Sequence, residues 1–347
     1  MLICSLIARQ HKGNTKIVDC HVRRTDVLKK SSADCSRTAE KSWKWKILLE
    51  VTNSKVVEFW CSAEFTGEVH GELIFLSVIN AFLSITAFLG NALILVALHK
   101  DTSIHSPSKL LYRNLAITDF CVGVIVEPVS VIYWMSLVME RWSLCRIILA
   151  KFVTTGSTLC TVSLLTVTSI SVDRLLALSL GLRYRQVVTL KRRYVAVFAF
   201  WVVSIVGATM YFVNPCIVFW YINIIVILCI ATSVFSYTKI FLILRHNQIH
   251  ALGHLFQGQP SQAISMSIAR HRKAVSSALW VQIVLAVCYL PYCIIVFSTP
   301  RGGFPLSFYL ARQYAYTLIY VNSSLNPLLY CWKIREIREA VKDALRQ

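Results

Sequence analysis

Cys145 to Leu175 is an apolar run that closes on Ile170-Ser171-Val172-Asp173-Arg174-Leu175. Ser157, Thr161, Ser163, Thr166 and Ser169 soften its interior without charging it. Such hydroxyls bond back to their own helix or across to neighbours, so a helix inside a membrane bundle tolerates them. No other strongly apolar span ends on adjacent opposite charges. By itself Asp173-Arg174 reads equally well as an interfacial anchor, since charges cost little at a span's end. The rest of the chain decides between the two.

The chain has 347 residues, 56% of them hydrophobic and only 15% charged. A soluble domain carries about 25% charged residues, so this is membrane composition. The net charge of +19 invites a nucleic-acid partner. The basic residues lie mostly between apolar spans, as in membrane-protein loops, and that argues against one. Several of the cysteines, Cys121, Cys160, Cys229, Cys288, Cys293 and Cys331, lie inside apolar spans, where the thiol acts as a small hydrophobe.

Working outward, seven spans approach the roughly 20 apolar residues that cross a bilayer. They lie at 72–98, 109–137, 144–178, 194–213, 217–244, 272–298 and 306–331. The expectation is an all-α membrane protein, a seven-transmembrane helix bundle over 71–332. Residues 333–347 follow as an amphipathic cytoplasmic helix on the membrane surface, with Ile334, Ile337, Val341, Ala344 and Leu345 at helical spacing. Lys100 and Lys109, Arg183 to Arg193, Arg245 to Lys273 and Lys333 to Arg338 collect on one side of the bundle. That side is expected to be cytoplasmic, with the N-terminus outside. Residues 1–70 are expected to form a poorly ordered extracellular arm, with a small disulfide-linked cap, or sequence foreign to the bundle, as alternatives.

Acids are scarce within the spans. Asp119, Glu127 and Asp173 are the ones at membrane depth, and an intramembrane acid is a functional candidate. Asp119 needs a cation or strong donors. Asn91, Ser163, Asn322, Ser323 and Asn326 are candidates, around a sodium ion or around a protonated carboxyl. Pro327, in Asn326-Pro327-Leu328-Leu329-Tyr330, removes a helical hydrogen bond near the end of the last span. Pro291, in Cys288-Tyr289-Leu290-Pro291, does the same in the sixth. Two kinks, a buried acid and an Asp-Arg end describe a bundle that moves.

Taken together these residues resemble a rhodopsin-type (class A) G-protein-coupled receptor. Gly90-Asn91 is similar to the first helix, Leu115-Ala116 with Asp119 to the second, Asp173-Arg174-Leu175 to the third and Trp201 to the fourth. Tyr237 is similar to the fifth, Cys288 to Pro291 to the sixth and Asn326 to Tyr330 to the seventh. The resemblance covers about 72–347. It implies that Asp173 neutralises Arg174 at rest and that a ligand swings the sixth helix about Pro291, with Tyr289 in the place of the usual tryptophan. Arg174 and Tyr237 then meet a heterotrimeric G protein, supported by Tyr330. It further implies an allosteric sodium site of Asp119, Ser163, Asn322 and Asn326. A disulfide from the third helix to the second outer loop is also implied, for which Cys145 and Cys216 are the available pair, with Cys61 as the alternative for either.

The departures matter. Leu175 replaces the usual tyrosine, and Cys229 stands near the place of the fifth-helix proline. No acid stands near Arg270 to Lys273 at the cytoplasmic end of the sixth span, so Arg174 lacks the cross-helix lock of many resting receptors. Ligand-free signalling is expected. Gly156 holds the place of the amine-binding aspartate, and Tyr320 that of the retinal lysine.

The candidate pocket is Glu127, Phe152, Gly156, Tyr292, Tyr316 and Tyr320, with Tyr289. It is aromatic and suited to a small amphipathic ligand, while lipid and peptide ligands stay open. Glu127 either meets a cationic ligand group or, as favoured here, pairs with Lys151. The short link between the fourth and fifth spans leans the resemblance toward the melanocortin, adenosine and cannabinoid-type group. Ser261, Ser265 and Ser267 are the candidate phosphorylation sites for arrestin. His246, His250 and His254 sit four apart, a zinc spacing set against Gly253, Gly258 and Pro260. No catalytic constellation appears and no enzyme is expected. A retinal pump lacks its lysine in 306–331, a transporter lacks internal repeats, and a silent receptor-like scaffold remains the alternative.

Overall fold

The computed structural model describes residues 60–62, 69–100, 106–256, 283–298, 306–333, 338–339 and 341–342. The described elements are helical. α1 is His70–Lys100. The second span is α2 (Ser106–Cys121), a π-helical turn (Val122–Val126) and α3 (Glu127–Val138). α4 is Trp142–Leu180, α5 the short Tyr184–Val187, α6 Leu190–Thr209 and α7 Pro215–Phe256. α8 covers Ile283–Ser298 and α9 Leu306–Lys333. Among the described residues five helices are long and apolar enough to cross a membrane, and α8 is a shorter apolar one. The architecture is a seven-helix membrane bundle.

α4 is its axis. It packs against α2, α3, α6 and α7, and seventeen of its residues are buried. Its hydroxyls mostly bond to their own carbonyls one turn back: Thr154 to Ala150, Thr158 to Thr154, Thr166 to Val162 and Thr168 to Leu164. That lets a hydroxyl-rich helix sit in an apolar centre with its donors satisfied. Gly181, at φ 50°, ends the helix in a backbone state that side chains disfavour. Phe82, Val195 and Phe198 point outward from α1 and α6, on the face lipid would cover.

The π-turn coincides with a proline in its own ladder and with close packing on α1. Pro128 has no N–H to return to Val124, which loosens the ladder there. Gly123 presses on α1, where the Ser84 hydroxyl donates to its carbonyl at 2.6 Å. A Cβ on Gly123 would come within 2.9 Å of the Phe88 backbone nitrogen. Gly90 is tight in the same way against Pro327, at 3.0 Å. Asn80 reaches Thr317 at 2.9 Å and Trp134 reaches Gln313 at 3.1 Å, tying the first two spans to α9. The link from the fourth to the fifth span is very short. After the 3-10 turn Met210–Phe212 only Val213 and Asn214 remain before Pro215 opens α7, a position where its missing N–H costs nothing.

The disulfide among the described residues is Cys61–Cys145, which corrects the Cys145–Cys216 pairing. Cys61 sits at the top of α4 with its Cα 6.0 Å from that of Cys145 and is almost fully buried, so the sulfur of Cys145 is already taken. Trp60 and Cys61 therefore lie against the end of the bundle. Trp60 stacks on Tyr309 with centroids 5.6 Å apart, and the Arg312 guanidinium lies 4.1 Å from the Trp60 ring centre. The bridge closes 84 residues, so by loop-closure entropy its loss is expected to cost about 4–5 kcal/mol. Thermal unfolding should show a reductant-sensitive midpoint in the wild type and a lower, reductant-insensitive one in Cys61→Ser. A wild-type midpoint indifferent to reductant would refute this. In the tail, Val341 is buried against the bundle while Arg338, Glu339 and Lys342 are exposed.

Candidate functional site

At the C-terminal end of α4, Asp173 is 1% exposed. It forms an ion pair with Arg193 of α6, accepts from the Tyr184 hydroxyl at 2.6 Å, and accepts from Ser108 of α2 at 3.1 Å. Burial, and then the bond to Asp173, push the Tyr184 phenol up, so it stays a donor at neutral pH. Arg174 turns elsewhere. It donates to the Tyr112 hydroxyl at 3.0 Å and lies over that ring, which also meets Tyr330 edge-on at 5.5 Å.

This corrects the expectation that Asp173 neutralises Arg174. Successive helical residues point about 100° apart. Asp173 therefore faces α2 and α6, while Arg174 faces the bundle interior, within electrostatic reach but not as its hydrogen-bond partner. Tyr237 on α7 receives the Ser171 hydroxyl at 3.3 Å, and Tyr330 is buried. The structure thus brings Asp173, Arg174, Tyr237 and Tyr330 to one end of the bundle and adds Ser108, Tyr112, Tyr184 and Arg193.

One of those additions had a partial sequence signal, shared with its two basic neighbours Lys191 and Arg192. Thr189 caps α6 by accepting from the Arg192 backbone N–H, which puts Arg193 in the helix's first turn. A cation opposes the helix dipole there, so its presence asks for a specific acid. Arg270 to Lys273 lie outside the described residues. So do Ser261, Ser265 and Ser267, and so do the side chains of His250 and His254.

Midway along the bundle Asp119 is 0% exposed. Its carboxylate accepts from Asn326 at 2.6 Å, Ser323 at 2.9 Å and Ser163 at 3.1 Å. Asn91 supports the group from α1 by donating to the Ser323 carbonyl at 3.0 Å. Asn322 is buried nearby on α9, but no hydrogen bond joins it to Asp119, and its Oδ1 and that of Asn326 are without partners. A carboxylate, hydroxyls and orphaned amide oxygens form an all-oxygen donor set, the chemistry a hard cation takes. These residues fit a sodium ion.

Nearer the N-terminal end of α4 lies a cavity between α4, α7, α8 and α9, with about 600 Å³ of space that includes its opening to solvent. Phe152, Gly156, Tyr289, Tyr292, Tyr316 and Tyr320 all line it, as expected. Tyr133 stacks on Phe152 at 5.1 Å, and Tyr316 contacts both Phe152 and Tyr292 at 5.6 Å. At its floor the Tyr289 hydroxyl donates to the Cys160 carbonyl at 3.4 Å, and Pro291 follows two residues later in α8. Glu127 is not on the lining. It is fully buried behind it, with both oxygens unpartnered. The favoured Lys151 pairing does not form, because Lys151 is exposed on α4.

Comparison with known proteins agrees with this geometry. Residues 90–330 match the 7 transmembrane receptor (rhodopsin family). The chain is similar to galanin receptor 2a of Danio rerio, 24% identical over 296 residues, which is 80% of each chain. It is similar to adenosine receptor A3 of Ovis aries, 25% identical over 295 residues, 75% of this chain and 86% of that one. To 5-hydroxytryptamine receptor 1B of Vulpes vulpes it is 30% identical over 151 residues, 42% of this chain and 38% of that one. The chain therefore belongs to the rhodopsin family of seven-transmembrane, G-protein-coupled receptors.

Proposed function

We propose that this receptor sits in the plasma membrane with its N-terminus outside and takes an extracellular ligand in the tyrosine-lined cavity. Occupancy biases α8 about Pro291, and the bias reaches a heterotrimeric G protein through Arg174 and Tyr237. One observation carries this reading: cavity and switch share α4. Cys160 on the cavity floor stands 14 residues before Arg174, roughly 21 Å along one continuous helix. Tyr289 bonds to that floor from α8, so a ligand touching Tyr289 acts on both helices. A shift of a few kcal/mol between two arrangements is enough for signalling.

Asp119, Ser163 and Asn326, with Asn322 and Ser323, would hold the sodium ion, which supplies a positive charge for the buried carboxylate. The leaning toward the melanocortin, adenosine and cannabinoid-type group rests on the two-residue link before α7, on Cys229, and on the similarity to an adenosine receptor. Arrestin is a further partner, through the third-loop serines.

Ligand-free membranes carrying the receptor are expected to catalyse nucleotide exchange on at least one member of a G-protein panel, and Arg174→Ala is expected to lower it at least tenfold. Exchange equal in both proteins across the whole panel would refute basal signalling through Arg174.

A further inference from the structure

Each membrane-depth acid but one has its partners. Asp119 has three donors and Asp173 an ion pair. Glu127 is 0% exposed and neither carboxylate oxygen has a hydrogen-bond partner. The backbone puts it there, because the π-turn delivers the chain to Glu127-Pro128. Ser130, one turn on, sends its hydroxyl back to the Val126 carbonyl at 2.7 Å. An ionised carboxylate so placed costs several kcal/mol until a cation or donor reaches it.

The way in is short. Cys160 and Tyr320 line the cavity, and both lie within electrostatic reach of Glu127. Between them the wall is thinned by Gly156. A Cβ there would meet nothing closer than Val126 Cγ1 at 3.6 Å and the Tyr320 hydroxyl oxygen at 3.8 Å, and Val126 immediately precedes Glu127. Cys160 also lies within reach of Asp119, so two acids stand behind this wall; among the described residues the lining carries no basic side chain, the nearest cation being Arg312, whose guanidinium lies 6.0 Å from the Tyr316 ring centre. That field attracts positive charge and repels negative charge. The remaining lining is aromatic and aliphatic, which fits a compact apolar body.

We propose that Glu127 is the counter-charge for a basic nitrogen of the ligand, reached past Gly156, which makes the ligand class a compact aromatic amine. This rests on the cavity being the ligand site.

The test uses the full chain in lipid nanodiscs. Phenethylamine and tryptamine are the probes, and 2-phenylethanol and indole-3-ethanol are their neutral counterparts. Thermal unfolding reports binding, and labelling by a cationic water-soluble carbodiimide, read by mass spectrometry, reports access to the carboxyl. The amines should stabilise the wild type at concentrations at least tenfold below the alcohols. Glu127→Gln should erase that difference and Glu127→Asp should keep part of it. The amines should also slow labelling at Glu127 and leave the exposed Glu140 unaffected.

Equal action of amines and alcohols, an amine advantage that survives Glu127→Gln, no stabilisation by either amine at millimolar concentration, or labelling of Glu140 with none at Glu127 would each overturn the proposal. Gly156→Leu separates the two levels. If it abolishes amine and alcohol binding alike while Glu127→Gln changes nothing, the cavity stands and the counter-charge falls. If bound probes ignore Gly156→Leu, the cavity reading falls with it.

Discussion

Arg193→Met is expected to destabilise the receptor by about 3–5 kcal/mol, the usual cost of stripping one partner from a buried ion pair. Among the described residues Asp173 keeps two neutral donors in that variant, Tyr184 and Ser108, at a site 1% exposed. Methionine retains much of the apolar stem, so the loss reports charge rather than volume. A double-mutant cycle isolates the pair. Asp173→Asn combined with Arg193→Met should be far milder than the sum of the singles, with a coupling of about 2–3 kcal/mol. Thermal midpoints in nanodiscs measure all four proteins. A coupling below about 0.5 kcal/mol would mean that Asp173 is held by its hydroxyl donors and that the ion pair is incidental.

The same clamp shows where sequence reading stops. Asp119 and the Asn326-Pro327 kink stand out because an acid, or a proline, is expensive in an apolar span and so conspicuous there. The helices stand out for a similar reason, since a bilayer sets a minimum length of apolar run. Arg193, by contrast, follows Lys191 and Arg192, and nothing in three consecutive cations says which one turns inward. Tyr112 reads as one more apolar residue, yet it is the hydroxyl that receives Arg174. The partner of Cys145 depends on a segment folding back across 84 residues, and a closure of that length leaves no local periodicity. Pro128 announces a broken ladder, but the close seat of Gly123 on α1 is a contact between helices and leaves no trace in the local sequence. For Glu127 the sequence pointed to Lys151. The structure removed that partner because α4 turns the lysine outward.

Gly207→Leu is expected to cost about 4 kcal/mol, near 3 from overpacking and near 1 from a lost hydrogen bond. Gly207 is buried on α6, and the Tyr221 ring of α7 occupies the space its Cβ would need. Tyr221 also donates to the Val203 carbonyl one turn back on α6, at 3.1 Å. Lipid tails are as apolar as side chains, so packing and hydrogen bonds carry helix association, and a small residue that lets a ring seat against the backbone counts for more than its size. Val203 and Val206 beside it face outward, so this seat is one of the places where α6 grips α7. Because the clash begins at Cβ, even Gly207→Ala should destabilise measurably. Gly71→Ala, where a Cβ would meet nothing within 4 Å, should not. Tyr221→Ala should absorb the insult: Gly207→Ala in that background is expected to melt within a degree or so of Tyr221→Ala alone. If Gly207→Ala is as costly without the ring as with it, the glycine is needed for the helix's own backbone, and the ring seat is not what holds α6 against α7.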